Sequence, residues 1–165
     1  RTTVKILDAD GREVPRGETG VIHVGNDMPF GGYTDGNTKT FADGLMNTGD
    51  LGYFDENELL FVAGRDDDMI ISGGENVFPR ELEDALIEHE AVRDVVVTGV
   101  DDEKWGQRLA AFVVLHDGSE ASEPDLVEYA RAQVAKFAVP KNVVFLDELP
   151  RNPTGKVMKR ELPRI

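Results

Sequence analysis

Three short stretches of the chain gather side chains that could handle sugar hydroxyls and phosphate. In Thr48-Gly49-Asp50 a glycine stands beside a carboxylate, which accepts two hydrogen bonds side by side and so suits the vicinal hydroxyls of a ribose. The glycine predicts a turn, and the plainer reading is an Asp capping its own backbone there. In the second stretch, Gly64 to Pro79, Arg65 offers a rigid five-donor fork to sugar or phosphate oxygens beside Asp66, Asp67 and Asp68. Its plainer reading is a surface ion pair within that acidic run. Further along, Gly73-Gly74 admits positive φ and lets another molecule approach the backbone. The third stretch, Pro150-Arg151-Asn152-Pro153-Thr154-Gly155-Lys156, ends a Pro- and Gly-stiffened loop on one lysine. Its ammonium could meet a phosphate as a point charge, or simply be solvated.

Other chemistries lack parts. Gly155-Lys156 has Pro150 where a P-loop needs its first glycine and Val157 where it needs Ser or Thr. Asp66 to Asp68 lacks the alternating ligands and closing Glu of a calcium loop. His23, His89 and His116 are scattered singly, and no Gly-x-Ser-x-Gly elbow occurs, so neither a metal hydrolase nor a serine triad is assembled. His89 reads as a packing residue on the apolar side of a helix, and Trp105 as a core or loop anchor. The 165 residues carry 32 acidic against 18 basic side chains, a net charge of −14. That excess argues against nucleic acid or an anionic membrane as partner. No apolar run reaches the ~20 residues of a membrane span, and with no cysteine there is neither disulfide nor thiolate site. A soluble cytoplasmic protein is expected.

The elements that must position these stretches divide in two. Residues 1 to about 65 read as short strands: Val4 to Leu7, a turn at Asp8 to Gly11, Val21 to Val24 and Leu59 to Val62, with Phe30, Tyr33 and Phe41 between. So few large apolar side chains would bury little surface as an independent domain. With Arg1 rather than Met at the start, the piece is expected to be the tail of a preceding domain. Three adjacent carboxylates disfavour helix and sheet, so Asp66 to Asp68 should be an exposed connection and a candidate hinge.

From Met69 the pattern alternates strand and helix. Met69 to Ile71 is a short strand that breaks at Gly73-Gly74 before a helix over Arg80 to His89, with Pro79 at its start. Val95 to Val97 and Leu109 to Leu115 are strands, with Trp105-Gly106-Gln107 in the loop before the second. Ser122 with Asp125 three residues on is an N-cap signal for a helix presenting Leu126, Ala130, Val134 and Phe137 on one face. Val143 to Leu146 is the last strand. Two helices on a small mixed sheet make residues 66–165 an α+β domain large enough to fold alone.

The order and spacing of the three stretches resemble the adenylate-forming (acyl-activating) enzymes, and within them the acyl-CoA synthetases. The motifs concerned are Thr48-Gly49-Asp50; Gly64-Arg65-Asp66-Asp67-Asp68-Met69-Ile70-Ile71-Ser72-Gly73-Gly74; and Pro150-Arg151-Asn152-Pro153-Thr154-Gly155-Lys156. The resemblance implies a C-terminal portion: a β-rich, barrel-like tail of the N-terminal domain at 1–65, then a mobile lid at 66–165. It implies ATP, AMP and CoA as ligands, with a magnesium site in the absent N-terminal adenylation domain. A carboxylic acid, here a fatty acid, would become an acyl adenylate and then a thioester. Asp50 and Arg65 would hold the ribose, Asp67 would be the hinge, and Lys156 the catalytic cation. Gly73 and Gly74 would line the pantetheine channel, with Trp105 and Phe137 touching CoA. Val139 stands where some members place a basic residue. By the same resemblance the chain by itself would be inactive. A relative passing its acyl group to a carrier protein, or a non-catalytic nucleotide-binding module, are the alternatives.

Overall fold

The computed structural model describes residues 2–26 and 40–165; Arg1, Phe30 and Tyr33 lie outside them. The chain forms two compact units, Arg1–Asp67 and Asp68–Ile165.

In the first unit, β1 (Thr3–Leu7), β2 (Gly20–Gly25), β3 (Phe41–Ala42), β4 (Leu45–Phe54) and β5 (Leu60–Arg65) form an antiparallel sheet. Its order is β1-β2-β4-β3, with β5 also paired to β4. Among the described residues only Ile6, Leu7, Ile22 and Leu51 are buried hydrophobics here, joined by His23, whose Nδ1 lies 3.1 Å from the Val21 carbonyl. Thr48-Gly49-Asp50 is not the expected turn. It is a bulge inside β4, between the pairs His23 with Asn47 and Val21 with Leu51. Gly49 takes φ +80° there. The Thr48 hydroxyl donates to the Ile22 carbonyl at 2.9 Å, and the Asn47 amide oxygen accepts the Gly49 N–H at 2.7 Å. A bulge re-aims the side chain that follows it, in this case Asp50.

The second unit holds β6 (Ile70–Ser72), β7 (Glu75–Val77), α1 (Pro79–Ile87), β8 (Val92–Asp102), β9 (Gly106–Leu115), α2 (Glu123–Gln133) and β10 (Asn142–Phe145). The sheet runs β10-β9-β6-β7 with β8 on β9, and it is mixed because β10 lies parallel to β9. The expected α+β arrangement of two helices on a mixed sheet is present. Gly73-Gly74 does not break the chain before a helix; it turns the β6–β7 hairpin, both glycines at positive φ. Gly106 and Gln107, expected in a loop, belong to β9.

β9 explains its own unbroken apolar run. Leu109, Ala111 and Val113 face α1 and α2, meeting Leu82, Leu86, Leu126 and Ala130. Ala110, Phe112 and Val114 face the opposite side, which Leu149 and Leu162 of the C-terminal segment cover. A strand covered on both faces needs no polar alternation. Each buried leucine stabilises by roughly 1.5–3 kcal/mol. α2 begins with a capping box in which Ser122 and Asp125 bond reciprocally, but it ends at Gln133. Phe137 therefore does not share its buried face: it sits on a 3₁₀ turn over residues 136–138 and is 45% exposed. His89 lies beyond the end of α1, accepts the Ala91 N–H at 3.2 Å and meets the Tyr129 ring edge-on.

Glu83, on α1, accepts the Val97 N–H at 2.8 Å. Burial pushes its carboxyl above the usual carboxylate range, against the lowering effects of the Val97 bond and Lys159. A folded-state pKa raised above the unfolded one means that stability is fully present below the unfolded value and is lost as pH rises through the folded value. Glu83→Gln, which keeps an acceptor for Val97, removes that loss. Thermal melts should show the variant gaining on the wild type as pH rises above the ordinary carboxylate range; a gap that does not change with pH would contradict this.

Candidate functional site

In the first unit the register of β4 and β5 sets Asp50 opposite Arg65. The Arg65 guanidinium lies 3.6 Å from Asp50 Oδ1 through Nη1 and donates to Asp67 Oδ1 at 2.9 Å through Nε. Asp66, Asp67 and Asp68 form an exposed 3₁₀ turn, since carboxylates at consecutive positions gain most from hydration. Exposed pairs of this kind contribute no more than about 1 kcal/mol, so a ligand with vicinal hydroxyls could reorganise them cheaply. The bulge supplies what the sequence could not: it orients Asp50 toward the arginine on the next strand.

In the second unit a groove of about 320 Å³ is lined by Ser72, Gly73, Glu75, Trp105, Lys136, Phe137 and Lys141. Gly73 lies under the Trp105 indole, and a Cβ added there would stand 2.8 Å from Trp105 Cε3. The Gly73 N–H donates to the Trp105 carbonyl at 3.0 Å, and Lys104 Nζ lies 4.8 Å over the indole. Trp105 is 44% exposed, so it is not the core anchor that its size suggests. The groove thus joins Gly73, Trp105 and Phe137. It adds Lys136 and Lys141, which the sequence did not single out; their closeness to Phe137 was the available signal. Gly74 is adjacent but does not line it, and its Cβ would meet nothing within 4 Å.

Lys156 stands exposed on a separate loop of the same unit, outside the groove lining. That loop is built by Asn152. Its Oδ1 accepts the Thr154 and Lys156 N–H groups at 3.1 and 2.8 Å, while its own N–H donates to the Lys156 carbonyl at 2.9 Å. Gly155 takes φ +87°, which favours glycine. Arg151 donates to the Gly155 carbonyl at 2.7 Å and pairs with Asp94 of β8 at 2.6 Å, tying the loop to the sheet. The sequence shows Asn-Pro-Thr-Gly as turn chemistry but not the Asp94 anchor, 57 residues away. Three residues on, Lys159 pairs with Asp68 at 2.6 Å.

Among the described residues no group of three or more His, Cys, Asp or Glu could hold a metal ion, and no helix is long and apolar enough to cross a membrane.

A domain that presents a lysine loop and an aromatic groove on a mixed sheet matches the family model of the AMP-binding enzyme C-terminal domain over residues 81–156. The chain belongs to the adenylate-forming enzyme superfamily, of which it forms a C-terminal portion. It is 41% identical over 162 residues to a 2-succinylbenzoate–CoA ligase of Bacillus cereus, covering 96% of this chain and 33% of that one. It is 40% identical over 161 residues to a fatty acid–[acyl-carrier-protein] ligase of Streptomyces coeruleorubidus, covering 96% and 31%. The o-succinylbenzoate CoA synthetase of Bacillus subtilis in complex with AMP superposes with a TM-score of 0.88 at 35% identity, over 99% of this chain and 34% of that one. The chain spans about a third of the length of the curated relatives it matches.

Proposed function

We propose that this chain is the C-terminal part of an ATP-dependent acid–thiol ligase. In the first step a carboxylate attacks the α-phosphorus of ATP, forming an acyl adenylate and releasing pyrophosphate. In the second the CoA thiol attacks the acyl carbon, AMP leaves, and the thiol proton passes to solvent. The carrying observation is the groove in which Gly73, bare under Trp105, faces Lys136, Phe137 and Lys141. The glycine lets the indole pack flat on the hairpin, leaving the groove beside it for a thin pantetheine arm; the aromatic faces suit a flat base, and the two ammonium groups, which share the groove with the Glu75 carboxylate, suit its phosphates. Asp50 and Arg65 hold the ribose hydroxyls, and Lys156 places its cation where charge develops between carboxylate and α-phosphate. Asp67, at the end of the first unit, is the hinge that lets one lid serve both steps.

Residues 1–65 close the N-terminal adenylation domain and residues 66–165 are the lid. That N-terminal domain holds the acyl pocket and the magnesium that shields the ATP phosphates, so the 165-residue chain alone makes no acyl-CoA. We take the acid to be fatty, as its name indicates for the Streptomyces relative, and the enzyme to be cytoplasmic, where ATP and CoA are at hand. That relative passes its acyl group to a carrier protein; CoA is preferred here because the groove offers lysines to nucleotide phosphates.

Asp67→Pro in the full-length protein tests this reading. Proline fixes φ, and a hinge must change it. The variant should keep one half-reaction and lose the other by about tenfold or more, in pyrophosphate exchange against thioester formation from preformed adenylate. Equal losses in both would place the hinge elsewhere.

A further inference from the structure

We infer that Arg108 is a positioning residue for the thiol-acceptor step, bracketing the two walls of the Trp105 groove through Asp102 and Asn142. One wall hangs from the tip of the β8–β9 hairpin. There Asp102 Oδ1 accepts the N–H groups of Lys104 and Trp105, each at 2.9 Å, and so fixes the backbone that carries the indole. The other wall is the Lys136 to Lys141 connection, and Asn142 is the first residue of the strand that follows it. Arg108 reaches both. Its Nε donates to Asn142 Oδ1 at 2.8 Å; its Nη1 donates to the Asp101 carbonyl at 3.2 Å and lies 3.7 Å from Asp102 Oδ2. The Arg108 and Asp102 side chains are only 23% and 21% exposed, so this contact is better shielded than the exposed pairs of the first unit. A guanidinium serves two directions from one rigid plane, which an ammonium does not. The backbone bond from the Lys141 N–H to the Leu109 carbonyl fixes where the second wall enters the sheet, and Arg108 couples it to the wall bearing Trp105. No part of the bracket lines the groove, so it acts on the ligand only through Trp105 and Lys141.

The inference rests on the proposal that the groove takes CoA, and two variants separate the claims. In the full-length protein, Arg108→Met should raise KM for CoA about tenfold while leaving pyrophosphate exchange within about twofold. Arg108→Lys should recover only part of the loss. Asn142→Ala, at the half-buried first position of β10, should shift KM for CoA in the same direction and carries the test if Arg108→Met does not fold. Trp105 is the one tryptophan of this chain. In the 165-residue chain its emission should become more accessible to acrylamide in both variants. If Trp105→Ala raises KM for CoA but Arg108→Met and Asn142→Ala do not, the bracket is overturned and the groove stands. If Trp105→Ala leaves KM for CoA unchanged, the groove reading falls and the bracket with it. Parallel loss of both half-reactions in Arg108→Met and Asn142→Ala would show a role in folding alone, which also overturns the inference.

Discussion

Replacing Lys156 by Ala in the full-length protein should lower adenylate formation by ~100- to 1000-fold, the ~3 to 4 kcal/mol typical of one preorganised charge contact in a transition state. The size of the effect depends on preorganisation, and the loop provides it. Asn152 holds the Lys156 N–H and carbonyl, Gly155 takes the φ the turn requires, and Arg151 ties the loop to Asp94. The ammonium is therefore presented from a fixed base, and a lysine on a loose loop would offer less. Thioester formation from chemically prepared acyl adenylate should survive, because in the proposed cycle the lid has by then carried Lys156 from the reacting atoms. Pyrophosphate exchange and thioester formation, run side by side, decide the matter. Equal loss of both would mean that the lysine does not serve the first step alone.

Gly73→Leu should do the reverse: pyrophosphate exchange persists and transfer to CoA falls by roughly 30- to 150-fold, or about 2 to 3 kcal/mol. Two physical terms act together. Gly73 sits at φ +63°, where a side chain is strained, and the first added carbon would stand 2.8 Å from the Trp105 ring. Either the indole moves or the hairpin does, and both form a wall of the groove. Gly74→Leu is the informative comparison, since its φ of +87° carries similar strain while its Cβ would meet nothing within 4 Å. A loss of CoA transfer in Gly74→Leu as large as in Gly73→Leu would place the pantetheine arm along Gly74 as well. A small loss would confine the arm to the Gly73 side. Loss of pyrophosphate exchange before CoA transfer in either variant would contradict the division of roles between hairpin and lysine loop.

Much of this was legible along the chain because it depends on neighbours in sequence. Ser122 and Asp125 announce the start of α2, Pro79 that of α1, and consecutive carboxylates an exposed connection, since each acts within a turn of its own backbone. The family was legible in the order of three motifs. The tertiary structure decided whatever depends on partners distant in sequence. Thr48-Gly49-Asp50 reads as a turn by composition, yet pairing with β2 makes it a bulge that aims Asp50 at Arg65. Phe137 has the right spacing to join the buried face of α2, but the helix stops at Gln133 and the ring turns outward to line a groove with Trp105. Arg108 lies in a run that reads as strand, and nothing near it in sequence shows that Asn142, 34 residues away, accepts its Nε. Local backbone preferences belong to adjacent residues and can be read from them. A groove is made by residues that meet only when the sheet has paired, and in this chain pairing brought Gly73, Trp105 and Lys141 to one place.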